Sequence, residues 1–205
     1  MKGSIDQLVL AATSGQTIIS FPTDTVPALA VRPDKAELIF QVKQRSTRKP
    51  LILMGATPES LWPYVKGTTE EMQIWQQVAQ QYWPGALTLV LPASEKVPHA
   101  INPTDPTTLG IRVPDCELTR NILQQTGPMA TTSANLSGQS PLLKMTEIEA
   151  QFPKVLTLES TQPVLTQTPS AIPSTVVQWQ HHSQWNILRQ GAVKLESESS
   201  ISNGM

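Results

Sequence analysis

Cysteine, histidine, charge and clustered glycine are all scarce in this chain of 205 residues, and each scarcity removes a class of function. One cysteine, Cys116, leaves no internal disulfide and no multi-cysteine zinc site. That usage suits a reducing compartment, and the cytoplasm is the expected location. The three histidines, His99, His181 and His182, make no H-E-x-x-H pattern, so zincin chemistry is excluded. Ten glycines are present, but the closest two, Gly127 and Gly138, stand eleven apart. No G-x-G-x-x-G dinucleotide loop, Walker-type phosphate loop or G-x-S-x-G nucleophile elbow is therefore possible. Charged residues are 15% of the chain, against roughly 25% in an average soluble domain. Fifteen Lys and Arg against sixteen Asp and Glu leave a net charge of −1. There is no global basic field for nucleic acid, and any such contact needs a local patch. No apolar run approaches the roughly 20 residues of a membrane span, and the first residues lack a signal-peptide core. A single soluble domain with no membrane partner is expected.

Proline is the residue in excess. Eighteen prolines, nearly twice the usual share of roughly 5%, lie dispersed between apolar runs and punctuate loops and strand ends. Between them, short apolar runs alternate with helical periodicity. Helices are predicted over Ile5 to Ala12, from about Thr69 to Tyr82, and over Glu117 to Gln125. Capping boxes are read at Asp34 with Glu37 and at Thr146 with Glu149, and Thr57-Pro58 reads as a helix start. Strands are predicted at Thr17 to Ser20, Leu51 to Met54, Leu87 to Leu91, Thr108 to Val113 and Pro128 to Thr132. The end is β-rich, with Ser174 to Val177 and Asn186 to Arg189. Strands alternating with helices imply an α/β sheet covered by helices, and strand pairs without a helix between them imply a mixed, twisted sheet.

Three segments carry candidate chemistry. Lys43, Arg45, Arg48 and Lys49 place four cations within seven positions with no acid among them, in a loop running into a buried strand. Such a cluster suits a polyanion, and equally a solvated turn at a helix C-terminus. Phe21 to Pro27 sets Thr23 and Thr25 on either side of Asp24, a set able to grip an ammonium or carry Mg²⁺, or simply to close a turn. Thr131 to Ser140 is dense in small donors and acceptors, as a phosphate- or ribose-gripping loop is, and as many turns are. Arg112 and Arg189 each end an apolar strand, and a buried arginine needs an anionic partner. Two such arginines with a cationic loop point to an anion-binding concavity. The five tryptophans read as packing rather than a stacking platform, and His181-His182 as an exposed turn.

Taken together and in order, seven segments resemble one family. They are Phe21 to Val26, Lys43-Gln44-Arg45 through Leu51, Trp83 to Thr88, Ile111 to Pro114, Ser133 to Gly138, Ser174 to Val177, and Leu188 to Gly191. The family is YrdC/Sua5, the threonylcarbamoyl-adenylate synthases. The resemblance spans about Ser4 to Val193 and implies one YrdC-like domain over residues 1–194, with a polar, fraying tail over 195–205. It implies a twisted mixed β-sheet flanked by helices around a wide, positively charged cavity. The implied reaction turns L-threonine, bicarbonate or CO₂, and ATP into threonylcarbamoyl-AMP and pyrophosphate. That product feeds N6-threonylcarbamoyladenosine at position 37 of tRNA through a separate transferase complex, with tRNA or double-stranded RNA as a further possible contact.

By resemblance, Lys43 and Arg45 are the catalytic cations. Arg45, Lys49, Thr108, Ser133, Asn135, Ser140 and Arg189 hold the nucleotide. Thr23, Thr25, Arg112 and Ser174 hold the threonine, with Arg112 on its carboxylate. No resident metal is implied, and Mg²⁺ rides on ATP. The chain departs from the family pattern in having Pro27-Ala28 where an aromatic residue and glycine are usual. It also has Met54 where some members carry histidine, and no glycine between Gly138 and Gly191. A YrdC/YciO-like paralogue that binds nucleotide or RNA with another acceptor is the alternative reading.

Overall fold

Strand alternation decides which side chains each face of a sheet buries. A computed structural model describes residues 1–159, 170–180 and 184–195 of the chain. The strands among these are β1 (Lys2–Gly3), β2 (Ile19–Phe21), β3 (Ala28–Val31), β4 (Ile52–Met54), β5 (Leu87–Pro92), β6 (Thr108–Arg112), β7 (Met129–Ser133), β8 (Leu156–Leu158), β9 (Thr175–Gln180) and β10 (Gln184–Arg189). The helices are α1 (Ile5–Ser14), α2 (Glu37–Val42), α3 (Thr69–Tyr82), α4 (Glu117–Thr126) and α5 (Met145–Gln151). All ten strands join one sheet in the order β1-β8-β2-β3-β7-β4-β6-β5-β9-β10. The pairs β1/β8, β2/β8, β4/β6 and β5/β9 are parallel, and the other neighbours are antiparallel. The expected mixed sheet is the one found.

The two faces are covered unequally. On one, Leu29, Val31, Leu53, Ile111, Val177 and the alternating Leu87, Leu89 and Leu91 pack with Ile39 and Phe40 of α2 and Trp75, Val78 and Ala79 of α3. On the other, Ile19, Phe21, Ala28 and Ala30 lie with Leu8 and Ala12 of α1 and Leu118, Ile122 and Leu123 of α4. Toward β6 and β5 that second face sets the polar Arg112 and Thr88 among Ile52, Met54 and Val176. A polar stretch cannot recruit a packed helix, so it is left unroofed.

Helix starts show where local signals were outcompeted. Thr68 caps α3, accepting from Glu71 N–H at 3.2 Å while Glu71 accepts from Thr68 N–H at 2.9 Å. Asp34 makes no such cap. Both its oxygens take the Arg32 guanidinium, at 2.6 and 2.8 Å, and α2 begins at Glu37 without a side-chain cap. A bidentate charge-assisted pair outbids one backbone N–H. Thr57-Pro58 opens only a 3₁₀ turn, Pro58–Ser60. α5 begins at Met145, one residue before the expected cap: Glu147 rather than Glu149 accepts the capping N–H, from Lys144 at 3.4 Å, and Glu149 faces the Met1 amine at 3.7 Å and Lys2 at 3.4 Å. The tryptophans pack as expected, Trp75 edge-on to Trp179 and Trp179 to Trp185, with centroids 5.8 and 5.0 Å apart. His181-His182 and the tail beyond Leu195 lie outside the described residues.

Candidate active site

The unroofed stretch of sheet is the floor of a cavity of about 280 Å³. Its register sets neighbours side by side. Ala28 faces Ser133, Thr131 faces Ile52, Met54 faces Arg112, and Thr88 faces Val176. All eight residues line the cavity. The site is thus mounted on five neighbouring strands and β9, with loops supplying only the rim.

Two hydrogen-bonded clusters stand on this floor. In the first, Arg112, 3% exposed, donates from Nη2 to Asp24 Oδ1 at 2.6 Å, from Nη1 to Thr25 Oγ1 at 3.0 Å and from Nε to the Gly85 carbonyl at 3.0 Å. Burial pulls the Arg112 guanidinium down from its ordinary pKa, and Asp24 opposes that shift. Thr23 and Thr25 share a hydrogen bond of 3.0 Å. Nearby, Arg189 holds the Ser174 carbonyl at 2.8 and 3.1 Å, and Ser174 meets Thr88 at 2.9 Å between their hydroxyls. The need for an anion beside Arg112 is met, but by Asp24, which the sequence reading had offered to a ligand or to Mg²⁺.

The second cluster begins at the end of α2. Gln44 N–H donates to the Gln41 carbonyl at 3.2 Å and Arg45 N–H to Phe40 at 2.9 Å, which is a Schellman closure. Its left-handed position is held by Gln44, at φ 50°, where glycine is the ordinary choice. The closure reverses the chain, so that Lys43 turns inward and Arg45 reaches the cavity. The fully buried Lys43 ammonium donates to the Ser133 carbonyl and, at 3.2 Å, to Asn135 Oδ1. Ser133 Oγ donates to the same oxygen at 2.6 Å. Burial, then Arg45 and Lys49, bring the Lys43 pKa down to about 7. Arg45 is braced by the carbonyls of Lys49 and Pro50, at 2.9 and 3.0 Å. Gln44→Gly is expected to stabilise the fold by up to about 1 kcal/mol in urea unfolding, and Gln44→Val to destabilise it by as much. Equal stabilities would mean the left-handed position carries no strain.

Of the expected site residues, Thr23, Thr25, Arg45, Arg112, Ser133, Asn135, Ser174 and Arg189 come together around this cavity. Lys43 lies beneath it. Lys49 and Ser140 are exposed and outside the lining. Thr108 is also outside, bonded to Asp105 and Asn102 at 3.2 Å each. Thr88, Met54, Gln139 and Val176 also line the cavity, though none was given a binding role: Thr88, Gln139 and Val176 lie within the motif segments and Met54 is one of the departures from the family pattern. Thr88 did carry a signal, as the one polar residue in Leu87 to Leu91. Among the described lining residues the ionisable groups are three arginines and no acid.

A twisted mixed sheet with three arginines on one cavity is the arrangement this chain presents, and comparison with known proteins gives its class. The family model Sua5_yciO_yrdC, described as telomere recombination, matches residues 11–191. The chain belongs to the Sua5/YciO/YrdC family and is a YrdC-like domain. Its curated relatives are enzymes. The threonylcarbamoyl-AMP synthase of Vibrio campbellii is 35% identical over 156 residues, covering 73% of this chain and 81% of that one. The Bos taurus protein of the same name is 32% identical over 190 residues, covering 90% and 66%. Among solved structures, P. abyssi Sua5 complexed with L-threonine superposes with a TM-score of 0.79 at 28% identity, over 93% of this chain. The match takes in 56% of the P. abyssi protein, so the present chain spans little more than half of it. E. coli YciO shares the fold, with a TM-score of 0.76 at 22% identity and 95% coverage of both chains.

Proposed function

We propose that this chain is an L-threonylcarbamoyladenylate synthase, converting L-threonine, bicarbonate or CO₂, and ATP into threonylcarbamoyl-AMP and pyrophosphate. The observation that carries the proposal is the convergence of Arg45, Arg112 and Arg189 with hydroxyl and amide groups on one sheet-borne cavity, in a chain whose relatives bear that name. Threonine's amine adds to CO₂ and loses a proton, giving a carbamate. A carbamate oxygen attacks the α-phosphorus, and the bond to the bridging oxygen of pyrophosphate breaks. Because the nucleophile comes from the substrate, the protein needs only to position it and to neutralise developing charge. In this reading Arg45, Ser133, Asn135 and Arg189 face the phosphates from the cavity, Lys43 supports them from beneath through Ser133 and Asn135, and Lys49, Thr108 and Ser140 assist from outside its lining. Thr23, Thr25 and Ser174 hold the amino acid.

Arg112 has three of its five N–H groups committed, which leaves two for a carboxylate. Mg²⁺ travels with the triphosphate, since Asp24 is bonded to Arg112. The product serves N6-threonylcarbamoyladenosine formation in tRNA through a separate transferase, placing the enzyme in the cytoplasm. Among the described residues no helix is long and apolar enough to cross a membrane.

Pyrophosphate release from ATP by the purified chain is expected to require both threonine and bicarbonate. ATP binding without threonine-dependent release would favour a paralogue with another acceptor. That reading draws on Pro27, whose neighbours Val26 and Ala28 line the cavity, and on Met54 at its floor.

A further inference from the structure

Beside α2 the described residues line a second cavity, of about 560 Å³, twice the volume of the first and more open to solvent. Such a volume accommodates a small organic ligand. Its walls alternate apolar and carboxamide surface, with Leu38 and the buried Phe152 set among Gln16, Gln41 and Gln151. Among the described lining residues Lys154 is the one charged group and none is acidic.

Gln151 is the informative residue. Its Oε1 is shielded from solvent and accepts no hydrogen bond among the described residues. Its Nε2 makes a single long contact, 3.4 Å, to Gln139 Oε1. A buried carbonyl oxygen without a donor is costly and rare in native proteins. A small rotation of this carboxamide toward the cavity lets a ligand N–H satisfy it.

The remaining walls narrow the chemistry. Carboxamides present paired donors and acceptors, the complement of an imide or lactam edge. One lysine suits one negative charge, whereas a triphosphate needs several cations. Leu38 and Phe152 favour a flat apolar body. We propose that this cavity binds a small, flat monoanion whose edge carries amide-type N–H and C=O groups, of the pyrimidine-carboxylate kind. The site stands apart from the threonine and ATP reading and does not depend on it.

The test is a titration of the full chain followed by two-dimensional NMR of the backbone and glutamine side-chain amides. Orotate supplies both the imide edge and the carboxylate, uracil only the edge, and benzoate only the charge. Orotate is expected to shift the signals of Gln41, Gln151 and Phe152 saturably, binding at least tenfold tighter than uracil or benzoate. Lys154→Glu, a change at an exposed side chain, is expected to weaken orotate at least tenfold, and Gln151→Leu to abolish its advantage over benzoate. ATP is expected not to compete. The proposal is overturned if millimolar orotate gives no saturable shift on the folded chain, or if Lys154→Glu binds it unchanged. Displacement by ATP also overturns it, since that places orotate in the first cavity.

Discussion

Asp24→Ala is expected to cost the fold about 3–5 kcal/mol, the range for stripping one partner from a buried ion pair. The Arg112 side chain is 4% exposed and its counter-charge 11%, so little water is available to replace the lost carboxylate. Desolvation already drags on the guanidinium, and among the described residues Asp24, at 2.6 Å, is its only acidic partner. Asp24→Asn keeps an oxygen in place without the charge and should fall between alanine and wild type. Pairing Asp24→Ala with Arg112→Met removes the stranded charge and should recover much of the loss. Urea unfolding of wild type, Asp24→Ala, Arg112→Met and the double variant reads the whole cycle, with Asp24→Asn measured alongside. A loss under 1 kcal/mol for Asp24→Ala would mean that solvent reaches the pair and that the second cluster alone organises the cavity.

Lys43→Met should separate function from folding. Pyrophosphate release is expected to drop at least a hundredfold, while stability at neutral pH stays level or rises. Lys43 is fully buried beside neutral oxygens, with no acidic side chain bonded to it among the described residues, so its charge opposes folding. With the pKa at about 7 in the fold and about 10.5 in the unfolded chain, the unfolded state holds more protons between those values. Wild-type stability from this group therefore rises with pH across that window, and the advantage of methionine is largest below pH 7 and fades above it. Bound polyphosphate favours the ammonium and pulls its pKa back up. Nucleotide binding at pH 8 should then take up a proton, and affinity should weaken as pH rises past 7, in wild type but not in Lys43→Met. Calorimetry in buffers of different ionisation enthalpy checks this. Equal proton uptake in both proteins would remove Lys43 from nucleotide binding.

Much of this architecture was legible in residue order. The three longer helices and the strands β5, β6, β7, β9 and β10 fall on the segments expected for them, because helical spacing marks the former and short apolar or β-branched runs bounded by turn residues mark the latter. β3 carries little local signal because two of its four residues are alanine, a weak strand former, and it follows directly on the Phe21 to Pro27 loop. β1 and β8 are two and three residues long, too short to show a period. The site was legible as composition, in cations and hydroxyls at strand ends, but not as pairing. Arg112 and Asp24 are 88 positions apart, and no local pattern joins them. Nor does spacing say that a cation of the Lys43 to Lys49 run turns inward, because that depends on Gln44 adopting a left-handed backbone.

The cavity floor is woven from strand pairing, while its rim is made of short loops, and this divides what can change from what cannot. Floor positions such as Ser133, Arg112 and Val176 are held by the same ladders that keep the sheet together, so they move only if the sheet does. Rim positions such as Gln139 and Pro141 answer to no ladder. Selection, natural or in the laboratory, can therefore retune the acceptor by editing the rim alone. A library confined to rim codons should yield altered substrate preference without the compensating stabilisers that floor substitutions would demand.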